Sequence, residues 1–414
     1  AGDSLCENFS QGVRKTMKVA IMGYGTIGSG VAEVLEVNRD VIAKRCQEPL
    51  ELKYVLDLRD FAGDPIADKV VHDYKVIAED PEVAIVVETM GGVEPAYTFV
   101  KAMLEKGKHV ATSNKALVAD RGAELIEIAR AHKVNFLFGA SVGGGIPIIR
   151  PLQSCLTGDV IERITGIING TTNYMMTKMT REGSDFDEVL ADAQDKGYAE
   201  KDPTADIEGY AACRKIAILT SLVCGKQVDY QDIPTEGISH ITATDIRYAN
   251  AMGRAIKLLA DSKMSGDTYS VRVAPFLLLP DHPLYHVDGV FNAIFVHGNM
   301  LGDGMFYGSG AGKLPTASAV VADMVDMAKH IDKNIYLRWD KEKMILADPM
   351  EQRYRYFVRA EDDMDAVKAA FGEVEVVDAG VSGENGFVTG EMSEREYRQR
   401  AGKLSGVLQM IRMA

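Results

Sequence analysis

Two lysines stand where an ammonium group can take part in proton transfer. Lys115 follows the short apolar run His109–Thr112, and Lys215 lies in an apolar stripe that, at helical spacing, also contains Ala211 and Ile218. A lysine surrounded by apolar residues has a lowered pKa and can give or take a proton near neutral pH. The structural alternative is that the Lys215 stem snorkels toward water and that Lys115 is a solvated residue of a loop.

Two carboxylates precede Lys215 in the chain. Glu200 and Asp206 belong to the polar segment before its helix, where Pro203 and Asp206 predict the start of a helix over Asp206–Cys224. A loop at this point can present both carboxylates to the ammonium group of a substrate. Either one can equally be a solvated charge, and Asp206 can be only a helix N-cap.

A glycine-rich turn predicts a dinucleotide site. A Gly-x-Gly-x-x-Gly sequence follows the strand-like run Lys18–Met22 and leads into a helical pattern. The first glycine permits a tight turn, the second lets the backbone approach a pyrophosphate, and the third allows close packing of helix on strand. The helix N-terminus stabilises the phosphates, and the βαβ context disfavours a turn without a ligand. The residues of the turn predicted to bind the cofactor are Gly23, Gly25, Thr26, Ile27 and Gly28.

The second strand-like run ends at two charged residues that bear on the choice of cofactor. Asp57 can accept hydrogen bonds from ribose hydroxyls, which favours NAD, whereas Arg59 can pair with a 2′-phosphate, which favours NADP. Both lie further from the glycine turn than is usual, because Asn38–Pro49 lengthens the crossover. Either can also be a solvated charge at a strand end, so the choice between NAD and NADP stays open.

The elements that must position these residues change in character along the chain. Short Val- and Ile-rich runs alternate with helical patterns over Met17–Phe138, which predicts a parallel sheet covered on both faces. Long helices, among them Thr244–Ala260, then mix with strands in a separate α+β region. Gly302–Gly312 is glycine-rich and precedes the helical pattern Thr316–His330. The tail Arg353–Ala414 reads strand, helix, strand, strand, helix, strand.

Composition excludes several classes of protein. The chain has 414 residues with 46 basic and 60 acidic side chains, a net charge of −14, which disfavours nucleic acid and anionic membrane surfaces as partners. No apolar run reaches the ~20 residues of a membrane span. Five cysteines without a Cys-x-x-Cys pair argue against a disulfide framework and a zinc ribbon. We therefore expect a cytoplasmic protein that acts on a small-molecule substrate.

Together these motifs resemble the homoserine dehydrogenase family. The resemblance implies reversible NAD(P)-linked interconversion of L-homoserine and L-aspartate 4-semialdehyde in the biosynthesis of threonine, methionine and isoleucine. It implies that Lys215 is the catalytic lysine, that Lys115 is a second active-site lysine beside the cofactor, and that Glu200 and Asp206 hold the substrate amino group. The segments that carry it, in the family's order, are Gly23–Gly28, Thr112–Lys115, Ala140–Pro147, Gly170–Asn173, Gly197–Lys215 and Gly308–Ser318.

The resemblance also implies an architecture and further contacts. Thr89 and Gly310 are expected to contact the cofactor, and the family is usually a homodimer built through its middle domain. The backbone carbonyls expected to bind a sodium ion are those of Val142, Gly144 and Ile146. The α/β fold is expected to comprise an N-terminal extension (1–16), a Rossmann-type parallel-sheet domain (17–140 with 305–335), a central α+β catalytic and dimerisation domain (141–304) and a C-terminal ACT-like βαββαβ domain (350–414).

Three features depart from the family pattern. Ala211 stands where the family has an aspartate one turn before the catalytic lysine, and Gly139 stands where many members have a glutamate that helps to bind sodium. Arg359–Met364 replaces a Pro-Gly-Val loop in the tail, which leaves threonine control open. Ala211 and the altered tail keep an impaired enzyme or a non-catalytic nucleotide-binding regulator as the alternative. An aspartate-semialdehyde dehydrogenase would need an activated cysteine, and Cys155 has no histidine nearby in sequence.

Overall fold

The computed structural model describes residues 16–46 and 48–414, so the predicted extension 1–16 lies outside the described residues except for Thr16. The helices are α1 Thr26–Val37, α2 Arg39–Cys46, α3 Tyr74–Glu79, α4 Ala96–Glu105, α5 Lys115–Ala131, α6 Gly170–Glu182, α7 Phe186–Asp195, α8 Thr204–Ile207, α9 Tyr210–Cys224, α10 Ala243–Ala251, α11 Lys313–Lys329, α12 Met364–Phe371 and α13 Glu394–Ala401. The strands are β1 Met17–Met22, β2 Leu50–Leu56, β3 Val70–Val71, β4 Val83–Glu88, β5 His109–Thr112, β6 Phe136–Leu137, β7 Ile161–Ile167, β8 Lys226–Gln227, β9 Ala255–Ser265, β10 Thr268–Leu278, β11 Phe291–Gly298, β12 Gly302–Ser309, β13 Asp340–Lys343, β14 Arg353–Ala360, β15 Glu375–Val377, β16 Asn385–Val388, β17 Met392–Ser393 and β18 Val407–Met413.

The first sheet lies in the N-terminal part of the described chain. Its six strands are parallel and lie in the order β3-β2-β1-β4-β5-β6. Strands such as β4 and β5 are buried along their length, which explains their continuous apolar runs. The strand order reverses between β1 and β4, so a crevice opens at the carboxyl ends of these two strands. The predicted parallel α/β sheet is confirmed.

The second sheet is mixed and has ten strands. Nine follow the order β12-β11-β7-β9-β10-β18-β14-β16-β15, and β17 pairs with β14. Helices α6 and α9 pack against β9, and α9 also contacts α5 beside the first sheet, which ties the two sheets' regions together. The mixed sheet with helices on it is the α+β region that the sequence predicts.

One predicted helix of the middle region is wrong at its end. The helix predicted over Thr244–Ala260 ends at Ala251, and its last six residues, from Ala255 on, belong to β9. Gly253, at φ +63°, breaks the helix, and the buried apolar run after it has no periodicity that separates strand from helix. The segment Gly302–Gly312, which the sequence shows only to be glycine-rich, is a strand as far as Ser309 and pairs with β11 over those residues.

The tail has the predicted order of elements but shares a sheet with the middle region. Its four main strands lie in the order β18-β14-β16-β15, with α12 and α13 as the two crossover helices. Strand β18 pairs in parallel with β10, where Arg412 lies opposite Phe276. This pairing makes the tail an extension of the middle sheet, and its kinship with ACT domains stays a prediction.

A buried set of charges fastens this junction, and we call Glu236, Arg272, Glu394 and Arg412 the tail cluster. Arg412 donates to both carboxylate oxygens of Glu236, each at 2.7 Å. Glu394 accepts hydrogen bonds from Arg272 at 2.7 Å and from Arg412 at 3.0 Å. Both arginines and Glu394 are at most 2% exposed. Because two members lie in the middle region and two in the tail, the cluster holds the two together.

Candidate active site

The glycine turn presents its backbone to the crevice. Gly23 has φ +95°, and Gly25 is the N-cap of α1. A Cβ at Gly28 would lie 1.9 Å from the carbonyl oxygen of Gly23, so only glycine permits this packing of helix on strand. A Cβ at Gly25 would meet nothing within 4 Å, so the space above the helix N-terminus is open. This open cradle of backbone N–H groups fits the pyrophosphate of a dinucleotide.

A cavity of about 520 Å³ adjoins the turn and contains the predicted cofactor residues Asp57, Arg59 and Thr89. Asp57 Oδ2 accepts a hydrogen bond from the backbone N–H of Tyr24 at 2.9 Å, and Arg59 Nε lies 3.0 Å from Oδ1. The Arg59 hydrogen bond lowers the pKa of Asp57 to about 2. Thr89 Oγ1 donates to the carbonyl oxygen of Gly23 at 2.7 Å. The two charged residues thus form an ion pair at the edge of the turn.

The sequence predicts Lys115 in a loop, but in the structure it is the first residue of α5. The side chain of Asn114 caps this helix by accepting the N–H of Leu117, and its Nδ2 donates to the carbonyl oxygen of Gly92 at 2.6 Å. Asn114 also lies against Glu88, a fully buried carboxylate whose pKa is raised by burial. These bonds fix the start of α5 beside the end of β4, so Lys115 emerges at the carboxyl edge of the first sheet.

Lys215 lies partly buried in α9, and its Nζ donates a hydrogen bond to the carbonyl oxygen of Ile168 at 2.7 Å. Its pKa is lowered from 10.5 to about 8: burial is the largest cause, the nearby charge of Lys115 adds to it, and Asp206 opposes both. The structure therefore brings Lys115, Lys215 and Asp206 together. The predicted helix Asp206–Cys224 is wrong at its start, because Asp206 belongs to the separate short helix α8.

Gly209 separates the two helices, and its φ of +79° explains the break. Asp206 is the third residue of α8 and not an N-cap, and its Oδ1 accepts a hydrogen bond from Asn169 Nδ2 at 2.7 Å. Glu200 lies exposed between α7 and α8, where its carbonyl oxygen accepts a hydrogen bond from Gln194. Asn169 is also the N-cap of α6. Sequence reasoning missed Asn169, although an Asn directly before the motif Gly170–Asn173 is an N-cap signal.

The predicted cation loop runs beneath the start of α11. Val142, Gly144 and Ile146 are buried, and a Cβ at Gly144 would lie 2.6 Å from the carbonyl oxygen of Gly310. Sodium binding would depend on backbone carbonyls here, since the described residues contain no group of three or more His, Cys, Asp or Glu side chains suited to a metal. The loop and the predicted cofactor contact Gly310 thus lie against each other.

The carboxylate of Asp323, which is far from Gly139 in sequence, lies against Gly139. Asp323 Oδ2 accepts the N–H of Gly139 at 2.7 Å, and its Oδ1 accepts a hydrogen bond from Arg150 at 2.6 Å. A Cβ at position 139 would lie 2.8 Å from Asp323 Oδ1, so a larger side chain there would displace this carboxylate. Burial raises the pKa of Asp323 to about 6. Asp323, which the sequence did not single out, fastens both ends of the segment that contains the cation loop.

Comparison with known proteins identifies the family of these motifs. Family models described as "Homoserine dehydrogenase, NAD binding domain" and "Homoserine dehydrogenase" match residues 23–139 and 147–325. The homoserine dehydrogenase of Synechocystis sp. is 46% identical over 322 residues, which cover 75% of this chain and 73% of that protein. The crystal structure of a homoserine dehydrogenase from Thiobacillus denitrificans has a TM-score of 0.89 at 33% identity and covers 97% of this chain and 98% of its own.

A second solved structure bears on the cofactor. A hyperthermophilic archaeal homoserine dehydrogenase in complex with NADPH has a TM-score of 0.63 at 28% identity, covering 75% of this chain and 97% of its own. Within the described part of this chain, none of the helices is both long and apolar enough to cross a membrane.

Proposed function

The chain belongs to the homoserine dehydrogenase family, and we propose that it catalyses the reversible NAD(P)-linked interconversion of L-homoserine and L-aspartate 4-semialdehyde. The reaction serves the biosynthesis of threonine, methionine and isoleucine. One observation carries the proposal: Lys215, with a pKa lowered to about 8, lies beside Lys115 and Asp206. A proton donor poised near neutral pH is what the reduction of an aldehyde to an alcohol requires.

Lys215 is the proton donor and acceptor of this proposal. Among the described residues its acceptor is the carbonyl oxygen of Ile168, which orients the ammonium, and no carboxylate there pairs with it to keep it charged. The ammonium protonates the substrate oxygen in reduction, and the neutral amine accepts the hydroxyl proton in oxidation.

Lys115 stabilises negative charge on the same oxygen and helps to hold the substrate. The reduced nicotinamide supplies the hydride when it is bound. The charge of Lys115 also lowers the pKa of Lys215, so the two lysines are electrostatically coupled in the site. Asp206 opposes that shift and lies close enough to hold the substrate ammonium, with Asn169 fixing its carboxylate. Glu200 is the second proposed partner of that ammonium.

The chain uses NAD(P), and the preference between the two forms is part of the proposal. The residues proposed to hold the dinucleotide are Gly23, Gly25, Thr26, Ile27, Gly28, Asp57, Arg59, Thr89, Lys115 and Gly310. Arg59 is exposed, and Asp57 already shares its oxygens between Arg59 and Tyr24. The pair therefore presents both a carboxylate for a ribose and a guanidinium for a 2′-phosphate, which supports use of both cofactors.

A sodium ion is proposed at the carbonyl oxygens of Val142, Gly144 and Ile146. Gly143 and Gly144 have φ of +78° and +54°, a backbone that turns successive carbonyls in different directions. The test is activity in sodium chloride against an equal concentration of choline chloride. We expect higher activity in sodium, and equal rates in both salts would contradict the site.

A homodimer is proposed through the outer face of β11 and β12. Phe291, Met305 and Tyr307 are 42, 47 and 54% exposed, and β12 is the edge of its sheet. An exposed apolar edge of this kind favours burial against a second copy. Light scattering after gel filtration should give twice the mass of the chain, and Tyr307→Glu should give a monomer. A wild-type monomer would contradict the proposal.

The decisive test of the activity is an assay at 340 nm with L-homoserine and each oxidised cofactor in turn. Turnover with either cofactor, lost in Lys215→Met, supports the proposal. Ala211 keeps the non-catalytic regulator as its competitor, because that position carries no carboxylate to assist Lys215. Cofactor binding without any turnover in the wild-type protein would favour the regulator and contradict the enzyme.

A further inference from the structure

The side chain of Asn292 is a buried polar group without a hydrogen-bond partner. It lies on β11 at 0% exposure, and neither Oδ1 nor Nδ2 has a partner among the described residues. Asn173 shows the contrast, since its Nδ2 donates to the carbonyl oxygens of Val287, Gly289 and Phe291. An unpaired buried donor and acceptor reduce the stability of a protein. Such a group calls for an explanation, and a ligand that completes its hydrogen bonds is one.

Asn292 points to the face of its sheet that carries the loops of the candidate site. Ile294, two residues further along the strand, lies on the same face and contacts Gly143, where a Cβ would come 3.6 Å from its Cδ1. A Cβ at Gly310 would lie 1.8 Å from Asn292 Nδ2, so the amide lies directly beneath Gly310. On the other side, a Cβ at Gly170 would lie 3.7 Å from Oδ1. The amide therefore lies between Gly310 and the start of α6.

These two neighbours belong to the two halves of the candidate site. Gly310 is the proposed cofactor contact, and it lies against Gly144 of the cation loop. Helix α6 follows Ile168, whose carbonyl oxygen accepts the hydrogen bond from Lys215. A group bound against Asn292 would thus lie between Gly310, the proposed cofactor contact, and Lys215, the proposed proton donor. Gly310 covers the amide, so we expect its peptide to shift when a group binds there.

We propose that Asn292 binds the carboxamide of the nicotinamide ring, an inference that rests on the proposed dehydrogenase function. A primary carboxamide presents a carbonyl acceptor next to an N–H donor, and the Asn292 side chain presents the complementary pair. The substrate offers no such match, because an ammonium only donates, a carboxylate only accepts, and a hydroxyl does both at a single atom. Two hydrogen bonds at fixed spacing restrict rotation of the ring, which favours a productive orientation.

The test compares cofactor affinity and stability in Asn292→Leu, which removes both polar atoms at similar volume. Affinity is measured from the fluorescence change of NADH or NADPH on binding, which needs no turnover, and stability from thermal melting without ligand. We expect the affinity to fall about tenfold, the value of one to two neutral hydrogen bonds. We expect Tm to stay constant or rise, because the variant has lost two unpaired polar atoms.

Asn135→Leu is the matched control. Asn135 is also buried, but its Nδ2 donates to the carbonyl oxygens of His330 and Lys333, so its replacement should lower Tm. If Asn292→Leu lowers Tm as Asn135→Leu does and leaves the affinity for NADH unchanged, the Asn292 amide is structural and the proposal is overturned.

A cofactor analogue tests the chemistry of the contact. Reduced 3-acetylpyridine adenine dinucleotide keeps the carbonyl acceptor of the carboxamide but lacks its N–H donor. The wild-type protein should bind it several-fold more weakly than NADH, and Asn292→Leu should bind the two equally well. Equal binding of both by the wild-type protein would overturn the proposal. The expected pattern without homoserine turnover would support the Asn292 contact and contradict only the proposed dehydrogenase activity.

Discussion

Two regions of the molecule enclose positive charge, and they do so in opposite ways. In the candidate site, Lys215 has one backbone carbonyl as its partner and a second ammonium nearby, and its pKa is lowered to about 8. In the tail cluster, Arg272 and Arg412 share the carboxylates of Glu236 and Glu394. Burial opposes the charge of Arg412, but the two carboxylates outweigh it and raise its pKa.

This difference distinguishes a group suited to proton transfer from groups that stabilise the fold. A poorly compensated ammonium changes its protonation near neutral pH, which a proton donor must do. A guanidinium paired with carboxylates stays charged, and removing one partner leaves an uncompensated charge in the interior. Changes at the two regions should therefore have opposite consequences, with activity lost at the first and stability lost at the second.

The largest expected effect is on turnover in Lys215→Met. Loss of a general acid slows an enzyme by about 10²–10⁴-fold, and a methionine in the apolar stripe should leave the thermal stability at the wild-type level or higher. The matched control is Lys257→Met. Lys257 is buried and pairs with Asp288 at 2.8 Å, so its loss should lower stability and largely spare turnover. Activity of Lys215→Met within a few-fold of wild type would remove Lys215 from the mechanism.

The next effect is on stability in the tail cluster. Glu394→Gln leaves Arg272 and Arg412 with one carboxylate between them, and breaking a buried pair of this kind costs about 3 kcal/mol of unfolding free energy. Kinetic constants of the folded variant should change little. Glu396→Gln on the same helix is the control, because its partner Arg400 is partly exposed and such pairs contribute about 1 kcal/mol or less. Equal losses in urea unfolding of the two variants would contradict the comparison.

The tail shows how far its sequence predicts its structure. Local signals predict its elements well: Asp363 and Ser393 cap α12 and α13, and the aromatic and apolar residues of β14 form a strand whose last five residues are buried. The pairing of β18 with β10 has no local signal, since it depends on strands far apart in the chain. The tail cluster likewise joins Glu236 to Arg412, and neither residue is unusual in its own segment.

The residues of the candidate site also differ in whether a local sequence signal predicts them. The glycine turn and Lys215 are predictable because their signal is a spacing within one or two elements. Gly209 breaks the helix between Asp206 and Lys215 through a positive φ, which glycine allows but does not require. Asp323 lies against Gly139, 184 residues away in sequence, so no pattern in either segment reveals the contact.

The pH dependence of the rates should follow Lys215. Oxidation of homoserine needs the neutral amine, so its rate should rise about tenfold per pH unit below a pKa of about 8 and level off above it. Reduction needs the ammonium and should decline above the same pH. Between about 8 and 10.5 the unfolded lysine holds a proton that the folded one has lost, so this group alone makes the free energy of unfolding increase with pH. Rate profiles of both directions without a step near pH 8 would contradict the assignment.

A smaller effect is expected on the choice of cofactor. Asp57→Ser removes a charge that repels a 2′-phosphate and frees Arg59, which now donates to both Asp57 oxygens. The ratio of kcat/KM with NADP to that with NAD should rise about tenfold. Asp60→Ser is the control, because Asp60 is an exposed carboxylate nearby that pairs with His72. An unchanged ratio in Asp57→Ser would make Asp57 a structural partner of Tyr24 and Arg59 alone.

The smallest effect is expected from Ala211→Asp, which would place a carboxylate beside Lys215. The arginines of the tail cluster already have such partners. Position 211 is buried and lies four residues before Lys215, so the two side chains are neighbours on α9. In Ala211→Asp the carboxylate should raise the pKa of Lys215 by about one unit and orient its ammonium. Turnover in the direction of reduction should then rise several-fold above pH 8, and the rising limb of homoserine oxidation should move to higher pH. Cofactor affinity should stay constant, because the glycine turn is unchanged.

Ala211→Asn has the same shape without the charge and should leave the pH profile at its wild-type position. A neutral or harmful effect of Ala211→Asp across the pH range would mean that another residue, or water, assists Lys215.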